Sequence, residues 1–234
     1  MTEAVFRMDP YQREVETFVT ARGDGWVELA ATVFYPTGGG QPGDVGQLVG
    51  GDATLEVTET RKGETPELIR HLVAGGPEPA VGAPVRAVLD WQRRHRLMRM
   101  HTCLHLLCRA VDGVVTGGQI GDGKGRLDFD IPEATLDKVA LTERLNAWIE
   151  ADHAVAERWI EAAELDARPE LVKTMSVAPR RTGGRIRLIE IEGLDLQACG
   201  GTHVRSTREI GRVSVAKIEK KGRQNRRVQV VFDD

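Results

Sequence analysis

The sequence has 234 residues and a net charge of −3, with 41% hydrophobic and 29% charged residues. This length and composition fit one large or two small globular domains with a buried core. No apolar run approaches the roughly 20 residues that a membrane span needs, and this excludes a transmembrane helix. The amino terminus, MTEAVFRMDPYQREVE, lacks the pattern of a signal peptide, so we expect a cytoplasmic protein.

Residues 1–90 predict a small β-barrel or sandwich, because five segments with alternating or β-branched residues are separated by Gly- and Pro-rich turns. The segments are VETFVTA (15–21), GWVELAATVFY (25–35), TLEVTET (54–60), ELIRHLV (67–73) and VRAVLD (85–90). Seven glycines lie between positions 38 and 51. The GGGQ sequence among them is either a plain turn or a loop that approaches another backbone closely. It comprises Gly38, Gly39, Gly40 and Gln41.

Residues 91–234 predict an α+β domain with helices packed against an antiparallel sheet. Apolar residues at three- and four-residue spacing predict one helix from Trp91 to about Val111 and a second over 135–154, with Val139 and Leu145 on its apolar face. Strands are predicted at 126–131, at 155–162 and from 185 onward, the last entering a loop, and the segment 212–232 alternates around GRQN as in a hairpin.

Two short sequences, HTCLH (101–105) and CGGTH (199–203), each place two metal-binding side chains four residues apart. On a helix, His101 and His105 share one face. The glycines of CGGTH favour a loop that brings Cys199 and His203 together by bending. Thiolate and imidazole both suit zinc, so the four residues predict one tetrahedral zinc site.

This zinc site is either structural or catalytic. Four filled protein positions favour a structural role, because catalytic zinc usually keeps an open position. The metalloprotease sequence HExxH is absent, since threonine follows His101. We expect Cys199 to be a ligand rather than a nucleophile, and Cys103 and Cys108 to be buried free thiols. His71, His95 and His153 are expected on the surface or satisfied in the core.

Basic residues are concentrated in two segments of this acidic chain. Positions 205–227 carry nine basic and two acidic residues, and four arginines precede HTCLH between positions 93 and 99. Such segments are typical of a surface that binds a polyanion, although a solvated surface explains them equally well.

Together these motifs resemble the editing domain of alanyl-tRNA synthetase and its free-standing relatives, the AlaX proteins, a class that also includes the editing domain of threonyl-tRNA synthetase. The matching segments run in order and cover nearly the whole chain. They are FYPTGGGQPGDVG (34–46), HTCLHLL (101–107), GGQIGDGKGRLDFD (117–130), CGGTH (199–203), STREIG (206–211) and KIEKKGRQNRRV (217–228).

The resemblance implies a Gly-rich β-barrel domain over 1–90 and a zinc-binding editing domain over 91–234. It implies His101, His105, Cys199 and His203 as zinc ligands and Gln119 as a residue near the substrate. The residues expected to contact tRNA are Lys220, Lys221, Arg226 and Arg227. The chain departs from the family at two positions. Family members often have an acidic residue where this chain has Thr37. Synthetase editing domains often have threonine where this chain has Leu104, and this second difference bears on amino-acid selection.

The implied activity is hydrolysis of mischarged alanine tRNA, with serine and glycine as the usual wrong amino acids, by a free-standing editor acting in trans. The chain is too short to hold a synthetase core as well. Zinc would either activate water or hold the substrate's α-amino group. Thr102 and Gln119 are candidates to form hydrogen bonds with the serine hydroxyl. The alternatives are that Thr102 lies on the surface of the helix and that Gln119 is a loop residue. GGGQ would contact the tRNA end or the editing domain, or be a structural turn.

A second hypothesis is a tRNA-binding module with a structural zinc and no hydrolytic activity. The partner in both cases is mischarged alanine tRNA, with no membrane and no nucleotide cofactor. The sequence leaves the oligomeric state open, with a monomer as our expectation.

Overall fold

The computed structural model describes residues 1–51, 53–131, 136–173 and 181–234. The chain forms two compact units, Met1–His95 and Arg96–Asp234. A long helix, α1 (Trp91–Ala110), contains the point at which the units divide. The domain boundary expected after residue 90 therefore stays a prediction. No helix in the described part of the chain has the length and apolar character to span a bilayer.

The first unit contains a closed barrel, which confirms the predicted architecture. In chain order its strands are β1 (Glu3–Ala4), β2 (Glu14–Gly23), β3 (Trp26–Leu29), β4 (Ala31–Thr32), β5 (Gly46–Gly50), β6 (Ala53–Lys62), β7 (Ile69–Ala74) and β8 (Pro84–Leu89). The barrel closes in the order β2-β3-β7-β6-β5-β8, and β1 pairs in parallel with β4 outside it. Val27, Leu29 and Val57 are among the apolar residues buried in its core, as the period-2 alternation of such strands requires.

Strand β5 was not expected, because it lies inside the Gly-rich segment. Gly46 permits it: a Cβ there would lie 2.2 Å from the carbonyl oxygen of Val88 in the neighbouring strand. The glycine therefore allows two strands to approach more closely than a side chain would.

The second unit has two antiparallel sheets and three α-helices in its described residues, and this confirms the α+β class. Its elements after α1 are β9 (Val114–Ile120), β10 (Lys124–Asp130), α2 (Lys138–Glu150), β11 (Val155–Glu161), α3 (Ala162–Ala167), β12 (Arg181–Thr182), β13 (Arg185–Ile191), β14 (Asp195–Ala198), β15 (Val213–Lys220) and β16 (Asn225–Phe232). One sheet has the order β15-β16-β10-β9. In the other, β13 pairs with β11, β12 and β14.

Helix α2 is shorter than the predicted 135–154, and Thr135 lies outside the described residues. The helix begins after Asp137, whose carboxylate accepts hydrogen bonds from the amides of Val139 and Ala140. Such a cap fixes the start of a helix. Val139 is 64% exposed, so its assignment to the apolar face was wrong, whereas Leu145 is buried as predicted and Leu141 is buried with it.

Candidate metal centre

Two of the predicted metal ligands lie on α1, one turn apart. The helix is buried almost all round between Leu97 and Cys108, which is typical of a core helix. Gly125 of β10 permits close packing on it, since a Cβ there would lie 2.7 Å from the sulfur of Met100. His101 and His105 are 7% and 6% exposed, so both imidazoles are held inside the protein.

The other two predicted ligands lie on the loop that follows β14. Strands β13 and β14 form a hairpin in which Leu188 pairs with Ala198. The chain then leaves the sheet at Cys199 and bends back through two glycines to His203. His203 is 3% exposed, whereas Cys199 is half-buried and Gly200 exposed. Within these five residues, solvent therefore reaches the site on the side of Cys199 and Gly200.

The structure brings the four side chains together. One ligand atom from each of His101, His105, Cys199 and His203 lies within 4.8 Å of all the others. The Cys199 sulfur is 3.4 Å from Nε2 of His101 and 3.2 Å from Nε2 of His203. Zinc–ligand bonds of ordinary length in a tetrahedron separate neighbouring donors by about 3.3–3.6 Å. The donor set and its spacing therefore fit a zinc ion.

The electrostatics of the site favour the metal-binding forms of Cys199 and His203, whereas His105 holds a proton that a metal must displace. Burial opposes charge on the Cys199 sulfur, but His101 and His203 outweigh it and lower the pKa of the thiol well below its usual value. Burial and the charge of His101 lower the pKa of His203 well below the usual range. Burial acts against a charged His105 too, but Asp195 and Cys199 raise its pKa to about 9. A metal would displace that proton.

Two polar contacts orient the histidines from outside the donor set. The hydroxyl of Thr102 lies 3.1 Å from Nδ1 of His203. An Asp195 carboxylate oxygen lies 3.4 Å from Nδ1 of His105, a contact of ion-pair length rather than a closed hydrogen bond. Asp195 in turn accepts a 2.6 Å hydrogen bond from the side-chain amide of Gln197. Such partners fix which imidazole nitrogen faces a metal.

Sequence reasoning missed Asp195 and Gln197. Both are buried, at 8% and 7% exposure, while the leucines beside them are only half-buried. The alternation of LDLQA is visible in the sequence, but alternation alone favours the apolar positions as the inward ones. Here the polar positions face inward instead.

Thr102 is fully buried, so the helix-surface alternative was wrong. Its hydroxyl lies 3.0 Å from the carbonyl oxygen of Met98, contacts His203 and accepts a 3.3 Å hydrogen bond from the amide of Val204. The Thr102 hydroxyl thus makes its hydrogen bonds to groups within the protein. This geometry favours a role in positioning His203 over contact with a substrate.

Gln119 lies in β9 rather than in a loop. It is exposed, pairs with Arg126 in the sheet and accepts a 3.3 Å hydrogen bond from the Nε of that arginine. Arg126 and Gly125 point to opposite faces of β10, and the Gly125 face packs against α1 at Met100. Gln119 therefore points away from the helix that carries His101 and His105.

The four basic residues predicted to contact tRNA lie on the β15–β16 hairpin, but they differ in ion pairing and in exposure to solvent. Arg227 makes two hydrogen bonds to Asp128, of 2.7 and 2.9 Å, so its guanidinium is held in an ion pair. The Lys221 ammonium lies 3.4 Å from a Glu219 carboxylate oxygen. Lys220 and Lys221 are exposed and Arg226 is half-buried.

The GGGQ sequence forms a tight turn in the first unit. Gly38 and Gln41 exchange two backbone hydrogen bonds of 3.0 Å. Gly39 and Gly40 between them have φ of 58° and 81°, values that favour glycine. The plain-turn alternative thus describes its local structure, and Gln41 is only 1% exposed.

The remaining cysteines and histidines agree with the expectations for them. Cys103 and Cys108 are buried free thiols, and burial raises their pKa to about 12 and about 11. His71 is fully buried and bonded on both ring nitrogens, and the half-buried His153 contacts the carbonyl oxygen of Glu192 at 2.9 Å.

Comparison with known proteins gives matches over the whole chain. Residues 2–93 match the family of class II (A) tRNA synthetases, and residues 186–229 match the second additional domain of threonyl and alanyl tRNA synthetases. The alanyl-tRNA editing protein AlaX-M of Methanosarcina acetivorans is 34% identical over 100% of both chains. That of Saccharolobus solfataricus is 34% identical over 97% of this chain and 98% of its own. The alanine–tRNA ligase of Pyrobaculum arsenaticum is 35% identical over 94% of this chain, a region that forms 25% of the ligase.

Proposed function

This chain belongs to the family of alanyl-tRNA editing proteins of the AlaX-M type, and on that premise we propose that it is an aminoacyl-tRNA hydrolase. Its substrate is alanine tRNA that carries a wrong amino acid, with serine the first candidate and glycine the second. We propose that it acts in trans. The observation that carries the proposal is the convergence of His101, His105, Cys199 and His203 on one point. The cytoplasmic location and monomeric state expected from the sequence stay predictions.

We assign zinc to this site, held by the three imidazoles and the Cys199 thiolate. When bound, zinc would supply either acidity that lowers the pKa of a coordinated water or a cationic anchor for the substrate's α-amino group. The half-buried Cys199 and the exposed Gly200 leave an approach for the aminoacyl ester. Asp195 and Thr102 hold the imidazoles of His105 and His203, and both are too buried to act on a substrate.

The β15–β16 hairpin is the part of this unit that we assign to tRNA. Lys220, Lys221 and Arg226 supply positive charge for phosphates, whereas Arg227 stabilises the sheet through Asp128. Phosphate contacts of this kind are sequence-independent and weaken with salt. The roles of Gln119 in substrate binding and of the GGGQ turn toward the tRNA end stay predictions from the family resemblance.

The zinc donors also support a second candidate function, a tRNA-binding module. Four protein ligands fill tetrahedral coordination, which is typical of structural zinc. A Cys199→Ala variant separates the two. A structural zinc predicts loss of folding, whereas a functional zinc predicts a folded protein that no longer deacylates.

The direct experiment is deacylation of alanine tRNA charged with serine, glycine or alanine by protein of known zinc content. Release of serine or glycine with alanine spared supports the hydrolase and identifies its substrate. No release from any of the three, with zinc bound and tRNA retained, favours the binding module.

A further inference from the structure

We propose that Arg187 of β13 is the positioning residue that fixes the metal-binding loop. The inference rests on the proposed metal centre and extends it to a residue outside the donor set. Arg187 is 8% exposed, and a buried guanidinium is costly unless its donors are satisfied. The identity of its acceptors therefore indicates what it is held there to do.

Two of the three hydrogen-bond acceptors of Arg187 are carbonyl oxygens of the CGGTH loop, and Nε is the one guanidinium nitrogen without a partner among the described residues. Its Nη1 donates to the carbonyl oxygen of Cys199 at 3.0 Å and to that of Gly201 at 2.8 Å. The two carbonyls lie on either side of Gly200, so a single guanidinium nitrogen fixes the bend of the loop at the point where the thiolate is presented.

The backbone of Arg187 holds the same residue from the other side. The amide of Cys199 donates a 3.2 Å hydrogen bond to the carbonyl oxygen of Arg187. Cys199 is therefore held at both its N–H and its C=O by one residue, 12 positions earlier in the chain. The loop would otherwise be free to turn about two successive glycines, which have the greatest backbone freedom.

Glu157 of β11 holds the other end of the guanidinium. Its carboxylate accepts from Nη2 of Arg187, and its side chain is 29% exposed. The chain of contacts runs from a strand of the sheet through Arg187 to the loop carbonyls. A planar fork of donors suits this arrangement, and a lysine ammonium would not reproduce it.

A purely structural role for Arg187 predicts lower stability with unchanged metal affinity. A positioning role predicts weaker binding by protein that is still folded, because the loop must be ordered when the metal binds. Loss of contacts that orient metal ligands typically costs about 10–100-fold in affinity.

The test measures zinc affinity by competition with a chelator for the wild type, Arg187→Gln, Arg187→Lys and the control Arg185→Gln. Arg185 lies on the same strand with its side chain 55% exposed. We expect about 10–100-fold weaker binding for Arg187→Gln, a smaller loss for Arg187→Lys and none for Arg185→Gln. Cobalt-substituted Arg187→Lys should also show an altered thiolate charge-transfer band.

Wild-type affinity and an unchanged cobalt spectrum in a folded Arg187→Gln protein would overturn the inference. If that variant does not fold, Arg187→Lys decides in the same way, since a single ammonium nitrogen cannot reproduce the fixed separation between Nη1, which bonds the loop carbonyls, and Nη2, which bonds Glu157. Failure of the wild-type protein to bind zinc would instead overturn the proposed metal centre itself, and the inference with it.

Discussion

The buried His71 makes the barrel sensitive to acid. Its Nε2 lies 2.8 Å from the hydroxyl of Thr32, and its Nδ1 lies 3.2 Å from the carbonyl oxygen of Val27. The Thr32 hydroxyl oxygen already accepts a hydrogen bond from the amide of Phe34. The neutral ring satisfies both contacts by donating from Nδ1 and accepting at Nε2, whereas a charged ring would have to donate from both. Burial therefore lowers the pKa of His71 from 6.5 to about 4.

The sign and size of the effect follow from proton linkage. The unfolded chain binds the proton at higher pH than the folded chain, so the stabilisation is full above pH 6.5 and is lost as the pH falls toward 4. The shift in the pKa of His71 contributes about 3 kcal/mol to the free energy of unfolding at high pH, and about 2 kcal/mol of this is lost between pH 8 and pH 5.

A His71→Gln variant tests this, because glutamine keeps an amide donor and acceptor but does not titrate. Urea titrations at pH 8 and pH 5 should be followed through backbone amide signals of β3 and β7, so that the barrel is observed by itself. We expect the wild type to lose about 2 kcal/mol more than the variant between the two pH values. Equal losses in both proteins would refute the assignment.

Three further predictions concern other parts of the molecule. Asp44→Ala should cost about 3–5 kcal/mol in urea unfolding, because it leaves the buried Arg94 without its carboxylate partner; a loss below 1 kcal/mol would contradict this. Gly39→Ala should cost about 1–2 kcal/mol through its positive φ alone, whereas Gly200→Ala, with open space at its Cβ, should stay within about 0.5 kcal/mol in the same assay. Lys220→Gln should reduce the slope of log affinity for tRNA against log salt by about one, and an unchanged slope would remove Lys220 from the tRNA surface.

Patterns that are local in the sequence predicted the corresponding structure correctly. The β15–β16 hairpin follows from alternation around GRQN, and α1 follows from apolar spacing. The two His/Cys pairs could be joined because each is local and because both use the same metal chemistry. The barrel followed from many short strands separated by turn residues.

Features that depend on packing between elements could not be read in this way. Strand β5 requires Gly46 to let a neighbouring strand approach, and this is visible only once the pairing is known. The helix-surface alternative for Thr102 failed because α1 is buried at that point. Asp195 and Arg187 are polar residues in strands, and their inward orientation depends on contacts with residues far away in sequence.

The measurement that tests the central claim most directly is deacylation of serine-charged alanine tRNA as zinc is returned to chelator-treated protein. We predict no hydrolysis by the metal-free protein, and a rate that rises in proportion to zinc until one equivalent is bound. Metal-free protein that is folded and hydrolyses at the full rate would contradict a zinc-dependent editing site. So would fully reloaded protein that binds the tRNA and releases no serine.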